Sequence, residues 1–324
     1  MLLSVRDVDL LRFLYWCQYM RYQDMAAVSS EAEVSNLIGC GYIKQYASGS
    51  ALVLTIRGKQ LLKELLKNEL PTITRSYHER AIERRLRLSR LMMVAYMASI
   101  PVFTNTPAQL ISAPSLFLTT ITRGKGGDPW GGTRVGALLH LPDVVAAVHY
   151  VCTGIGNVSP VDEISVLANQ SAVVKDGDRA FFFAGDSYDE ILKELSLMNG
   201  DENSKLVSYG TAWRTMPFPV YLLPCGETGA RQLRIMSIPN YRQWASQCLL
   251  QAEYEPPPDG QPDWDGMYQG RPFVMAADMD LRRIDRAIAA AERAGYDCIS
   301  MAAMDVQGQE VLQPRYMDTG KARL

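Results

Sequence analysis

Two acidic residues in the middle of the chain stand in the order that metal-dependent endonuclease cores use. Asp143 follows Pro142, and Glu163 lies twenty residues further on, followed by Ile164 and Ser165. In that chemistry two carboxylates hold a divalent metal ion, and a lysine two residues after the second acid assists the attacking water. Asp143 and Glu163 are therefore the catalytic candidates. Serine in place of the lysine argues against catalysis, and the sequence predicts a protein that is not an enzyme.

The remaining residues of chemical interest predict neither a metal ion nor a cofactor. The three histidines, His78, His140 and His149, form no metal-binding pair on a helix, and no nucleophile elbow is present. The six cysteines have no short paired spacing, which favours buried, reduced thiols: Cys17, Cys40, Cys152, Cys225, Cys248 and Cys298. The glycine-rich run from Arg123 to Gly132 could cradle a phosphate. It lacks the Gly-Lys-Ser/Thr ending of a P-loop, which favours a surface loop.

Basic residues concentrate at the N-terminal end of the chain. Residues 1–90 hold 14 lysines and arginines against 9 acidic residues, whereas the whole chain has a net charge of −2. Six of these arginines fall between Arg75 and Arg90, in a predicted helix. Such asymmetry is typical of nucleic-acid association, because cations that neutralise phosphates release counterions. The alternative is an amphipathic helix whose leucines pack while its arginines face water.

The elements that must position these basic residues follow a clear order. Ser4 caps a first predicted helix that runs to about Met20, a short second helix covers Tyr22 to Val28, and a serine of the Ser29-Ser30 pair with two glutamates opens a third. Gly39 and Gly41 end the third helix. A predicted hairpin then joins two β-prone runs, and Thr55 caps a fourth helix that reaches about Leu70. The order is helix, helix, helix, hairpin, helix.

This order and one motif carry a resemblance to a known family. The motif is Gly41-Tyr42-Ile43, then the hairpin, then Leu54-Thr55-x-x-Gly58-x-x-Leu61-Leu62. It resembles the end of the winged-helix module found in bacterial transcription regulators and in the replication-relaxation proteins of plasmids and integrative elements. The long segment that follows is more similar to the second group. The resemblance implies a DNA-binding accessory or regulatory protein of a mobile element, with duplex DNA as its partner and homodimerisation left open.

The predicted third helix departs from the usual DNA-reading pattern, in which basic and amide side chains meet base edges and phosphates. It carries Glu31 and Glu33 and has no lysine or arginine. A module that docks a protein without affinity for DNA therefore stays open as an alternative. The predicted DNA contacts combine polar residues of this helix with cations elsewhere: Arg21, Ser30, Ser35, Asn36, Lys44, Arg57, Lys59, Arg84, Arg85 and Arg87.

Beyond the module, the sequence predicts a mixed-sheet α/β domain. The expected organisation is a winged helix over 1–70, a basic helical connector over 71–112 and the α/β domain over 113–324. Predicted strands include Val144–Val151, Ile164–Ala168, Arg179–Ala184 and Cys298–Ala302, and predicted helices include Ser187–Met198 and Asp280–Ala294. Hydrophobic residues make up 48% of the chain, and no apolar run reaches the length that a bilayer requires. The sequence therefore predicts a cytoplasmic protein without membrane contact.

Overall fold

The structure, a computed structural model, describes residues 3–46, 50–73, 77–105, 112–123, 130–131, 133–151, 158–169, 178–198 and 205–323. Within these ranges, helices combine with three β-sheets, two of them mixed. The fold is thus of the mixed α+β kind that the sequence predicts. Several points of the sequence analysis lie outside the described residues: the hairpin turn at 47–49, Arg75, most of the glycine-rich run at 124–129 and 132, and Cys152.

Local capping signals define the first elements. The Ser4 hydroxyl accepts a hydrogen bond from the Asp7 amide, and Thr55 does the same for Gly58, so each starts a helix. The elements are α1 (Val5–Cys17), β1 (Met20–Arg21), a 3₁₀ helix (Tyr22–Ala27), α2 (Glu31–Gly39), β2 (Ile43–Tyr46), β3 (Ala51–Leu54) and α3 (Ile56–Leu66). The three strands form an antiparallel sheet in the order β1-β3-β2.

Helix α4 (Glu79–Met97) lies within the range predicted as a connector and is part of the core. Its second half buries Leu88, Leu91, Met92 and Val94. The helix packs against α1 on one side and, on the other, against a later helix, α8 (Glu227–Met236). The leucines of this half pack as the amphipathic alternative expects, but Arg90 in the same half is largely covered and does not face water. The arginines nearer the start of the helix must be considered one by one.

The central sheet has five strands and is mixed, as predicted. Its order is β4 (Ser115–Leu118), β5 (Ala137–Leu141), β6 (Val144–Tyr150), β7 (Asp178–Gly185) and β8 (Val220–Pro224). The first three strands are antiparallel, and β6, β7 and β8 are parallel. Helix α5 (Pro160–Asn169) lies between β6 and β7 in the chain, and α6 (Tyr188–Ser196) and α7 (Tyr209–Thr215) lie between β7 and β8.

A second mixed sheet is built from the C-terminal part of the chain. Its strands, in the order β12-β11-β10-β9, are β9 (Gly266–Tyr268), β10 (Arg271–Met275), β11 (Ile299–Ala302) and β12 (Ala322–Arg323). The associated helices are α9 (Tyr241–Leu250), α10 (Leu281–Arg293) and α11 (Asp305–Gln307), which continues as a π-helix (Gly308–Met317). Most buried apolar residues of the described chain form one continuous cluster that includes the N-terminal elements.

Three predictions about these elements were wrong. The run Ile164–Ala168, predicted as a strand, belongs to α5, because Pro160 at the first helical position and acidic residues in the first turn are strong helix-start signals. The second predicted helix is a single 3₁₀ segment. The strand predicted at Cys298–Ala302 is not the last, since β12 pairs beside it.

A buried carboxylate joins α9 and α10 to the segment that follows β10. Asp278, which follows β10, is fully buried and accepts hydrogen bonds from the Tyr241 hydroxyl at 2.6 Å and from Arg242 Nε at 2.7 Å. Arg283 Nη2 lies 3.6 Å away. Burial by itself would raise the pKa of Asp278, but attraction to the two guanidinium groups outweighs it and lowers that pKa to about 2.

We expect Asp278→Asn to destabilise the protein by about 3–5 kcal/mol, because Arg242 would lose its counter-charge and the buried Arg283 would keep only Asp265. The depressed pKa means that the stabilisation from Asp278 is complete above its unfolded pKa of 3.8 and is lost as the pH falls towards 2. Chemical denaturation at neutral pH measures the effect. Glu227→Gln, at an exposed pair with Arg231, is the control and should change stability by under about 0.5 kcal/mol. A similar small effect of Asp278→Asn would contradict the assignment.

Candidate nucleic-acid interface

Helix α2 begins with a reciprocal cap that occupies one of its two glutamates. The Glu33 amide donates to the Ser30 hydroxyl at 3.3 Å, and Glu33 Oε2 accepts from the Ser30 amide at 2.7 Å. The Ser29 hydroxyl also donates to Glu33 Oε2 at 3.0 Å. These hydrogen bonds lower the pKa of Glu33. The Glu33 carboxylate therefore points back at the start of its own helix.

The outer face of α2 is small and polar. Val34 and Leu37 are buried, whereas Ser35 and Asn36 are exposed. The exposed face, which we call the α2 face, consists of Ala32, Ser35, Asn36 and Gly39. These positions follow the three- and four-residue steps that place side chains on one side of a helix. Glu31, exposed four residues before Ser35, borders this face at the start of the helix, and the side chains beyond it are short.

One arginine, Arg57, lies beside the C-terminal end of α2. The Arg57 guanidinium lies 5.1 Å from the centre of the Tyr42 ring, and Tyr42 follows α2 by three residues. Gly58 makes this placement possible, because a Cβ atom there would lie 2.1 Å from the Tyr42 carbonyl oxygen. Lys44 is exposed on β2, directly after this segment. The structure thus places two predicted cations, Arg57 and Lys44, beside the C-terminal end of α2.

Lys59 does not belong to this group, although it is only two residues from Arg57. Successive residues of a helix are rotated by about 100°, so the two side chains leave α3 on nearly opposite sides. Lys59 lines a cleft with Lys63, Lys67 and Leu14, between α3 and α1. Lys59, one of the predicted DNA contacts, therefore lies on a different side of α3 from Arg57.

Arg21 is held by an ion-pair network that joins the N-terminal elements to the central sheet. Its Nη1 atom lies 3.7 Å from Asp186 Oδ2, at the end of β7. Arg90 of α4 pairs with the same Asp186, which also accepts from the Tyr150 hydroxyl, and Arg90 Nε lies 3.6 Å from Asp24. Arg21 is thus bound into the fold, unlike Lys44.

The three predicted arginines of α4 differ in their surroundings. Arg84 is exposed, whereas Arg87 pairs with Glu83 and is largely covered. Arg85 is mostly buried close to Cys17, and burial lowers the pKa of its guanidinium. Arg84 and Arg87 line a groove together with Arg134, which precedes β5. The sequence analysis missed Arg134, because nothing local to it signals proximity to a helix some fifty residues earlier.

The two catalytic candidates are not brought together. Asp143 precedes β6 and accepts from the Asn240 amide at 3.0 Å. Glu163 lies beside His149, six residues further along the same strand, which corresponds to roughly 20 Å. Two carboxylates that share a metal ion must both reach it within about 2–2.6 Å. Within the described ranges, no cluster of three or more His, Cys, Asp or Glu side chains could hold a metal ion.

Glu163 of α5 and His149 of β6 instead form an enclosed polar pair between that helix and that strand. Both are fully buried, with 3.7 Å between Glu163 Oε2 and His149 Nε2. The Arg134 amide donates to Glu163 Oε1 at 2.6 Å. Neither ring nitrogen of His149 has a hydrogen-bond partner in the described part of the chain. Burial raises the pKa of Glu163 to about 7 and lowers the pKa of His149 to about 3, so both favour their uncharged forms.

The cysteines fit the expectation of reduced thiols in part. Cys17, Cys225 and Cys298 are buried, and burial raises the pKa of Cys17 and of Cys225 to about 12. Cys40 is half-buried and Cys248 is exposed, so the prediction of burial was wrong for Cys248. No disulfide joins these five described cysteines.

Comparison with models of known families, with curated proteins and with solved structures found no match for this chain. We therefore infer its function from the geometry of the described residues. Among those residues, no helix has both the length and the apolar character needed to cross a bilayer.

We expect Glu163→Gln to remove a pH-dependent loss of stability. A carboxyl whose folded pKa of about 7 exceeds its unfolded value of 4.5 stabilises the fold below pH 4.5, and this contribution is lost as the pH rises through 7. The free energy of unfolding of the wild type, relative to the variant, should fall over this interval by on the order of 3 kcal/mol. Denaturant unfolding at a series of pH values measures it.

The comparison between the two proteins cancels the opposite trend of His149, whose stabilisation is lost as the pH falls below 6.5. Glu64→Gln, at an exposed position of α3, is the matched control and should run parallel to the wild type. Parallel curves for Glu163→Gln as well would show that Glu163 is ionised in the folded protein at neutral pH.

Proposed function

We propose that the first 70 residues form a winged helix-turn-helix module that binds duplex DNA through the α2 face. The observation that carries the proposal is the order α1, β1, 3₁₀ helix, α2, β2, β3, α3 with the antiparallel sheet order β1-β3-β2. In such modules the last helix before the hairpin enters the major groove, and the hairpin is the wing. Helix α2 stands at that position, and its outer face is exposed.

The side chains of the α2 face suit base recognition. An asparagine can donate to and accept from adenine, and a serine hydroxyl can bond to any base. Asn36 and Ser35 are exposed next to each other. Beyond Glu31 at the start of the helix, the exposed neighbours Ala32 and Gly39 are small, so this part of α2 can approach the groove floor. Asn36 and Ser35 are therefore the proposed base contacts.

Cations beside the α2 face would hold the phosphates. Arg57, stacked on Tyr42, and Lys44 on the wing lie next to the C-terminal end of α2. Base contacts specify a sequence, whereas phosphate contacts fix position and supply salt-dependent affinity. Lys44 and Arg57 are the proposed phosphate contacts.

The acidic residues of α2 weigh less against DNA than their number suggests. Glu33 is engaged by Ser29 and Ser30 at the start of the helix. Glu31 is exposed in the first turn, one residue before the α2 face begins. Glu33 keeps its negative charge, but these hydrogen bonds hold it at the N-terminal end of α2, whereas Arg57 and Lys44 lie beside the C-terminal end.

The wider role proposed for the chain is that of a DNA-binding accessory or regulatory protein of a plasmid or integrative element, acting in the cytoplasm. This part of the proposal rests on the motif around Gly41, Thr55 and Gly58 and on a long α+β segment behind the module. A homodimer on a two-fold DNA site is compatible with it.

The test is binding of the full chain to duplex DNA, measured by fluorescence anisotropy at about 50 and about 200 mM salt. A site is first enriched from a random duplex library. Lys44→Ala with Arg57→Ala should weaken binding to all sequences and reduce the slope of log affinity against log salt by about 2, since each lost phosphate contact contributes about 0.9. Ser35→Ala with Asn36→Ala should reduce discrimination between enriched and random duplex by about 1–3 kcal/mol per lost base contact.

Arg231→Ala is the matched control, because Arg231 is an exposed arginine on α8, and it should bind DNA as the wild type does. Thermal unfolding of each variant verifies that the module stays folded. Absence of binding at low salt, or equal losses in the control, would contradict the proposal and leave the alternative of a protein-docking module.

A further inference from the structure

A second basic surface lies away from the α2 face, between α4 and the segment that precedes β5. It is a groove of about 560 Å³. Five arginines line it: Arg80, Arg84 and Arg87 from α4, Arg123, and Arg134. The three from α4 are spaced by four and three residues, so they share one helix face over about 10 Å. Arginines from two separate parts of the chain therefore converge on one concave surface.

The positive charge of the groove is only partly compensated. Among its described lining residues Glu83 is the acidic one, and it pairs with Arg87. Arg80, Arg84 and Arg134 are exposed and form no ion pair with another described residue. Three guanidinium groups with five donors each thus remain available to an anion.

The fifth arginine builds the wall of the groove. The Arg123 guanidinium donates to the carbonyl oxygens of Trp130 at 3.0 Å, Thr133 at 3.3 Å and Val135 at 2.8 Å. These bonds fix the segment that carries Arg134, while the charge of Arg123 still adds to the field in the groove. The wall is therefore held in place before any ligand arrives, which lowers the entropic cost of binding.

A buried hydroxyl adds an independent observation. Thr120 lines the groove and is nine-tenths buried, and its Oγ1 atom has no hydrogen-bond partner in the described part of the chain. Its neighbour Thr119 differs, since it donates to the Val135 and Gly136 carbonyl oxygens. A buried polar group without a partner is costly unless a ligand supplies one. The Oγ1 atom is closed to solvent in the observed conformation, so a phosphoryl oxygen in the groove would become its acceptor after rotation of the Thr120 side chain about χ1.

We propose that this groove binds a phosphate-bearing small molecule of nucleotide size, with Arg80, Arg84 and Arg134 contacting its phosphates. The volume falls in the range of small-molecule sites, about 300–1,000 Å³. Arginine forks match phosphate oxygens two at a time. Leu88, Val135 and Tyr209 supply an apolar part of the lining, against which a base or another ring can pack.

The proposal does not depend on DNA binding by the α2 face, because it uses different residues. We would titrate ATP, tripolyphosphate and adenosine into the full chain by isothermal titration calorimetry, at about 50 mM salt and without divalent cations. ATP and tripolyphosphate should bind, with affinity that falls as salt rises, and adenosine should bind much more weakly. Tighter binding of ATP than of tripolyphosphate identifies a nucleotide site, whereas equal binding identifies a polyphosphate site with the same arginines.

Arg84→Ala with Arg134→Ala should weaken ATP binding by roughly 10- to 100-fold, since each charge-assisted contact accounts for about tenfold or more. Both side chains are exposed, so the fold should be unaffected. Arg231→Ala is the control with an exposed arginine on α8 and should bind ATP normally. The variant should also bind duplex DNA normally, and Lys44→Ala with Arg57→Ala should show the reverse pattern.

Thr120→Val gives a readout that surface charge would not produce. The change removes an unpartnered buried hydroxyl at nearly constant volume, so the melting temperature should rise while ATP binding weakens several-fold. No binding of ATP or tripolyphosphate at low salt would overturn the proposal. Unchanged ATP affinity in both Thr120→Val and the double arginine variant would also overturn it, as would loss of duplex DNA binding in the arginine variant without any ATP binding.

Discussion

The arrangement of the molecule depends on one cation, Arg90 in the middle of α4. It meets Asp24 from the N-terminal elements and Asp186 from the end of β7, and it donates to the Cys225 carbonyl oxygen after β8 at 3.3 Å. A cation in a partly covered position needs such partners, because desolvation without them is expensive. The N-terminal elements are consequently fixed against the carboxyl ends of the parallel strands. Open α/β sheets usually bind ligands at that edge, and here Arg90 and its partners Asp186 and the Cys225 carbonyl oxygen lie there.

The position of Arg90 also determines which basic residues remain exposed. Arg21 and Arg90 both pair with Asp186, and Lys59, Lys63 and Lys67 line a separate cleft. The other cations of the first ninety residues lie mainly at two surfaces, beside the α2 face and along the exposed side of α4. The two surfaces differ in kind. The α2 face is a helix with short side chains, which suits the groove of a duplex, whereas the α4 surface is concave and rich in arginine, which suits a compact anion. The difference between these two surfaces follows from the packing of α4 and not from the number of charges on each.

Local signals in the sequence were sufficient for the elements that start with a cap. Ser30 with Glu33 and Thr55 with Gly58 act within three or four residues, so their helices could be predicted. Pairing across the sheet could not be predicted in the same way. The separation of Asp143 from Glu163 depends on α5 folding back to the far end of β6, which no short motif encodes. Likewise, the burial of Arg85 and the pairing of Arg21 depend on contacts with distant segments. A count of charges treats Arg21, Arg85 and an exposed arginine as equal, although the first is ion-paired and the second is mostly buried.

The partners of Arg90 have a consequence for synthesis on the ribosome. Asp24 is made before Arg90, but Asp186 follows ninety-six residues later, which at 5–20 residues per second corresponds to roughly 5–20 s. During that interval Asp24 is the counter-ion already present in the emerging chain. The N-terminal elements and α4 can therefore associate early and offer a neutralised Arg90 to the sheet when β7 arrives. In the order of synthesis, Asp24 is therefore available to Arg90 before Asp186 is, and the folded protein keeps both pairs.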